Sequence, residues 1–115
     1  MVTGVTGTLG ARVARRLVPE ALEVRGLIRN PDQFAAMKQL DFTPVLGDLT
    51  NRASLRQAME KIDWVIHCAA YLGEEPVLAH QANVVGVEHL AAVAHETGAR
   101  IVHISTTSVY GEPAD

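Results

Sequence analysis

The chain has 115 residues, 48% hydrophobic and 20% charged, with a formal net charge of −3 at pH 7. That balance fits one folded domain able to bury its own core and excludes a disordered chain. The 10 Lys and Arg are scattered apart from Arg12, Arg15 and Arg16, so no basic face marks a nucleic-acid partner or a membrane surface.

Apolar runs stop well short of the ~20 residues a membrane span requires. The single cysteine, Cys68, has no partner for an internal disulfide, which makes a reducing cytoplasm the expected compartment.

In chain order, Met1, Val2 and Thr3 lead into Gly4 as the end of a first strand, shorter than the ~5–6 residues such strands average. The following "TGVTGTLGARVARRL" places glycines at 4, 7 and 10, where a strand turns into a helix whose Leu9, Val13 and Leu17 recur at i, i+4 and i+8. A second strand is expected over Leu22 to Ile28. Asn30 before Pro31, with Gln33 three residues on, reads as an N-cap, a first-turn proline and a capping-box partner. Phe34, Met37 and Leu40 supply that helix's apolar side.

A third strand follows at Thr43 to Leu46, then a helix capped by Thr50 or Asn51 that buries Leu55, Ala58 and Met59. Trp64 to Cys68 forms the fourth strand. The longest helix is expected from about Val77 to Thr97, with Leu78, Ala82, Val85, Leu90 and Val93 inward and Gly98 as its stop. Ile101 to Ile104 is the fifth strand. The strands lack in/out alternation, the habit of parallel strands covered on both faces. Strand and helix alternating without hairpin signals makes an α/β, doubly wound sheet.

Glycines at 4, 7 and 10 allow a tight turn and a close backbone approach. The helix start behind them offers free N–H groups and partial positive charge to a pyrophosphate. The spacing is GxxGxxG rather than GxGxxG, and a purely structural turn is the alternative. Arg29 ends the second strand where NAD-preferring proteins carry a carboxylate. An arginine there can grip a 2′-phosphate, so NADP is favoured over NAD; the alternative is a solvated arginine.

His67 and His103 fall on neighbouring strands but have no carboxylate or thiolate companions for a metal. Cys68 reads as a small buried residue.

Behind the glycine turn come "GDLTN", "VIHCAAYLG" and "NVVGVEHLAAVAHETGARIVHISTTSVYG". With it, in that order and each at a strand-to-helix junction or in the long helix and strand that follow, they resemble the extended short-chain dehydrogenase/reductase family of epimerases, dehydratases and reductases. The resemblance implies a Rossmann-like sheet of order 3-2-1-4-5, with residues 1–115 forming a partial NAD(P)-binding domain.

It also implies roles. Gly4, Gly7 and Gly10 with the amides of Thr8 and Leu9 would cradle the pyrophosphate, and Asp48 and Leu49 would lie beside the adenine. Ala69 and Ala70 would leave room under the ribose and nicotinamide. Asn83 would brace the active-site strand, and Ser105 and Thr106 would be the hydroxyl pair, with Thr106 at the catalytic Ser/Thr position. A positioned hydroxyl stabilises the oxyanion of a carbonyl made or consumed by hydride transfer.

The family's proton-transfer pair is a tyrosine with a lysine four residues on. Tyr71 is followed at that spacing by Glu75 and Tyr110 by Ala114, so neither fits, and Tyr110 matches the Val-Tyr-Gly turn instead. Both ends therefore look cut, with later strands and the substrate lobe expected elsewhere in a longer protein. The chain by itself is expected to lack turnover. A dinucleotide-binding or redox-sensing module without catalysis is the competing reading. A small-molecule substrate would need the absent part, and a homodimer is open.

Overall fold

The computed structural model describes residues 1–20, 23–37 and 41–104. Parallel pairing joins β1 (Val2–Thr3), β2 (Arg25–Ile28), β3 (Thr43–Leu46), β4 (Trp64–His67) and β5 (Arg100–His103) into one sheet of order β3-β2-β1-β4-β5. The register sets Val2 beside Gly26 on one side and Ile66 on the other, and His67 beside His103. The order reverses between β1 and β4. In open α/β sheets that reversal is where loops diverge and leave a crevice at the strands' carboxyl ends.

Successive strand residues feed opposite faces. Val2 and Ile28 pack with Val5, Ala14, Val24 and Phe42 on the side of α1 (Thr8–Leu17). Leu27 and Val65 pack on the other side with Leu55, Ala58 and Met59, which belong to or follow α3 (Arg52–Ala58), and with Leu90, Val93 and Ala94 of α5 (Gly86–Thr97). Leu55 is fully buried, and an aliphatic side chain so placed contributes about 1.5–3 kcal/mol.

Local chemistry sets the helix ends. Asn51 caps α3 by accepting from Ser54 N–H at 3.1 Å. Gly98 ends α5 in the left-handed region at φ 76°.

Several expectations need correction. Leu9 is 51% exposed, and α1 turns Gly10 and Ala14 to the sheet instead, because only small residues permit that approach. β2 begins at Arg25 rather than Leu22, where pairing with Thr43 starts; Ala21 and Leu22 lie outside the described residues, as does Leu40. Asn30 accepts from Asp32 N–H rather than forming a box with Gln33, and Pro31–Gln33 is a 3₁₀ turn running into α2 (Phe34–Met37).

The long helix is not uniform. α4 (Pro76–His80) passes through a π-turn, Gln81–Val85, into α5, and Leu78 is exposed rather than inward. β5 carries exposed residues because it is the last strand among those described.

Candidate functional site

Gly4 leaves β1 with φ 72°, a conformation that suits glycine, and a Cβ there would lie 2.8 Å from Ala69 N. The exits of β1 and β4 therefore touch backbone to backbone. The turn closes through Gly7 N–H donating to Gly4 O at 3.0 Å, and Ala11 N–H takes Gly7 O at 3.1 Å. A Cβ on Gly10 would fall inside the contact shell of Gly4 O and C, so α1 starts hard against the strand exit.

Between those bonds lie the first-turn amides of Thr8, Leu9 and Gly10, which a helix leaves without intrahelical partners. Gly7, Thr8 and Leu9 are exposed, and Gly7 as N-cap brings no side chain to the amides. α1 has no acidic residue in its first turn and has Arg15 and Arg16 in its last. The positive end of the helix dipole is thus left uncompensated by the helix's own side chains.

Arg29, Asp48, Leu49, Ala69 and Ala70 sit at the same carboxyl edge. Arg29 directly follows β2, exposed and without a hydrogen bond or ion pair among the described residues. Asp48 lies past β3, and its Oδ1 is already taken by Thr50 N–H at 2.9 Å and Thr50 Oγ1–H at 2.8 Å, leaving Oδ2 free to accept. Ser54 Oγ receives Asp48 N–H at 2.9 Å, Gly47 N–H goes to Ile28 O and Asn51 N–H to Asp48 O. Among the described residues the Leu49 amide is the one in this loop that finds no acceptor.

Ala69 and Ala70 follow β4 after one residue, Cys68. Asn83, on the π-turn, closes both ends of its amide on one residue: Oδ1 accepts from Tyr71 N–H and Nδ2 donates to Tyr71 O, each at 2.9 Å. Among the described residues it holds the loop after β4. Ser105 and Thr106, with Tyr110, lie outside the described residues.

The NAD-dependent epimerase/dehydratase family model matches residues 1–115. The chain belongs to that family. Among curated relatives it is 34% identical over 114 residues to a 4-hydroxy-2-methyl-3-oxo-4-farnesyl-3,4-dihydroquinoline-1-oxide ketoreductase of Stigmatella aurantiaca, covering 96% of this chain and 34% of the relative. Sterol demethylase protein B of Methylococcus capsulatus is 36% identical over 116 residues, covering 96% of this chain and 35% of that one.

Among solved structures, a short-chain dehydrogenase/reductase superfamily protein from Agrobacterium tumefaciens with bound NAD superposes at TM-score 0.79 with 27% identity, over 96% of this chain and 33% of that one. Uronate dehydrogenase from the same organism, a Y136A mutant complexed with NAD, gives TM-score 0.74 and 26% identity, over 91% and 39%. The chain spans about a third of the length of the curated relatives it matches.

In this epimerase/dehydratase-family chain the seam between β1 and β4 is held by a polar cluster that the sequence patterns missed. Thr3, fully buried, brings Oγ1 within 2.7 Å of His67 Nδ1, 3.0 Å of Cys68 N and 3.1 Å of Ala69 N. The two backbone N–H groups occupy both lone pairs of the hydroxyl. Its own proton must then go to Nδ1, which leaves the ring proton of neutral His67 on Nε2.

That Nε2 is buried and has no partner among the described residues. His67 stacks on His103 with ring centroids 5.5 Å apart. Burial foremost, and then the neighbouring His103, push its pKa below the ordinary histidine value. Burial likewise raises the Cys68 thiol, which is half-buried rather than fully enclosed. The sequence signal for the cluster was two polar residues, Thr3 and His67, each ending an apolar parallel strand.

Proposed function

We propose that this chain is the dinucleotide-binding portion of an NAD(P)-dependent oxidoreductase or epimerase, with NADP preferred. The observation that carries the reading is the open cradle of Gly4, Gly7 and Gly10 at the point where the strand order reverses. A Cβ on Gly7 would have only Gly4 O near it, at 3.4 Å, so the rim of the turn is free for a ligand's oxygens. Bare amides at an uncompensated helix start suit a pyrophosphate.

Around it, Asp48 Oδ2 is free to accept from an exocyclic amine, and the unpaired Leu49 N–H can donate to a ring nitrogen. Ala69 and Ala70 keep the β4 exit low enough for a ribose and nicotinamide to lie across it. Arg29 has its guanidinium uncommitted for a 2′-phosphate, a charge-assisted contact of about 1.5–3 kcal/mol.

A bound nicotinamide dinucleotide supplies hydride transfer. The chain's own part is to bind and orient it, and Thr106 is the residue we assign to hold a substrate oxygen. The family-level activity belongs to the longer protein, acting on a carbonyl or alcohol substrate such as a sugar nucleotide. The 115 residues alone bind without turnover, since neither tyrosine has a lysine four residues on.

Titrating the purified chain with NADPH and NADH by cofactor fluorescence tests the reading. Saturable binding, tighter for NADPH, is expected. No binding of either cofactor refutes it, and substrate-dependent NADPH oxidation by the chain alone refutes the claim of inactivity.

A further inference from the structure

The loop that carries Asp48 and Leu49 is gripped from α5 by a residue to which the sequence patterns gave no role. His89 Nδ1 lies 2.8 Å from Leu49 O, across forty positions of sequence. A carbonyl only accepts, so Nδ1 carries the proton. Three residues earlier on the same helix face, buried Gly86 meets the Leu49 side chain: a Cβ there would sit 3.0 Å from Leu49 Cβ and 3.5 Å from Leu49 Cδ1.

Leu49 is thus held at two points, its carbonyl by an imidazole and its side chain by a helix surface pared down to glycine. The rest of the loop is tied to its own neighbours, Asp48 through Thr50 and Ser54, and Asn51 through Asp48. His89 supplies the polar tether from outside that local network. Without it the half-buried Leu49 carbonyl loses its partner, and the peptide following Leu49 is held only by Thr50 N–H donating to Asp48 Oδ1 within the loop itself.

We infer that His89 is a positioning residue for the adenine end of the cofactor, acting through Leu49, with Gly86 as the spacer that admits the contact. The inference rests on the dinucleotide reading above. His89 reaches no ligand itself; it fixes the edge formed by Asp48 Oδ2 and the free Leu49 N–H, which a purine can meet only if both are held in one plane.

The test separates the two halves of the cofactor. ADP-ribose and nicotinamide mononucleotide are titrated against the chain, His89→Leu and His89→Asn, and amide exchange at Asp48, Leu49 and Thr50 is followed without ligand. The asparagine Nδ2 is bonded to Cγ as the imidazole Nδ1 is, so it can donate from the same place.

His89→Leu is expected to weaken ADP-ribose about 3- to 10-fold, leave nicotinamide mononucleotide unchanged and quicken exchange in the loop. His89→Asn is expected to restore both affinity and protection. Wild-type affinity for ADP-ribose in His89→Leu overturns the inference. So does equal weakening of both probes, or an asparagine variant that folds and binds no better than the leucine one. If the unaltered chain binds neither probe, the dinucleotide reading fails separately. Exchange then decides the loop contact by itself: quickening confined to His89→Leu upholds the hold of His89 on Leu49, and unchanged exchange overturns it.

Discussion

Replacing Gly10 by alanine sets helix propensity against a backbone contact, and the structure says which wins. The added Cβ falls within the contact shell of Gly4 O and Gly4 C and comes 3.0 Å from Thr3 O. All three atoms are backbone, so no rotamer change relieves the overlap. Gly4 cannot retreat toward β4 either, because its own Cβ position is 2.8 Å from Ala69 N.

α1 must therefore withdraw from the strand exit, an overpacking cost of roughly 1–3 kcal/mol or more. Alanine returns up to about 1 kcal/mol through helix propensity and a less disordered unfolded chain. The net loss is roughly 1–2 kcal/mol, or about 4–8 °C of melting temperature for a domain of this size. Gly7→Ala is the control. Gly7 has φ −93° and ψ 171°, which any residue adopts, and its new Cβ meets nothing closer than Gly4 O at 3.4 Å. Thermal melts and NADPH titrations of both variants should diverge: Gly10→Ala melts low, whereas Gly7→Ala melts within a few degrees of the unaltered chain and binds NADPH more weakly. A Gly10→Ala chain that melts at or above the unaltered temperature refutes the reasoning, since helix propensity would then outweigh a contact that was not rigid.

Thr3→Val removes the hydroxyl shared by His67, Cys68 and Ala69 while keeping its shape, and should cost on the order of 2–4 kcal/mol in chemical denaturation, with Thr3→Ser recovering most of it. Arg29→Asp should lower the NADPH-to-NADH affinity ratio by about 10- to 150-fold in paired titrations, and an unmoved ratio removes Arg29 from cofactor choice. His67 is held below its ordinary pKa by burial and by His103, so the unfolded chain takes the proton first as pH falls. Its contribution is full above about pH 6.5 and is lost as pH drops from there through the depressed folded value. Denaturation at pH 7.5 and 5.5 should show that loss, and His67→Gln, which cannot titrate there, should show less of it.

What the sequence made legible follows from how local each signal is. Thr43–Leu46 is the strand read from its short apolar run, and Gly98 ends α5 as its position after the last periodic residue implied. Leu9 failed because i, i+4, i+8 spacing names a face without saying which face meets the sheet; Gly10 and Ala14 decide that by their size. Leu78 failed for another reason. A π-turn carries an extra residue per turn and rotates the face beyond it, so one 3.6-residue phase cannot serve α4 and α5 together. Ser105 and Thr106, read from the hydroxyl run after β5, lie outside the described residues.

The Thr3 cluster escaped notice because its partners are more than sixty positions apart, so no single motif contains both sides of the contact. Yet it joins the two parts of the candidate site. Gly4, the first residue of the cradle, packs on Ala69 N, and the same Ala69 N–H donates to Thr3 Oγ1. The cradle and the small residues after β4 therefore share one backbone junction. Under the dinucleotide reading, the pyrophosphate and nicotinamide ends of the ligand meet surfaces whose spacing is set by that junction. A change at Thr3 then acts on stability and on cofactor geometry through the same atoms. Thr3→Ser, which keeps the oxygen and drops the methyl, should preserve cofactor affinity better than Thr3→Val even where their melting temperatures are brought level by a stabilising osmolyte, because it is the oxygen that fixes Ala69.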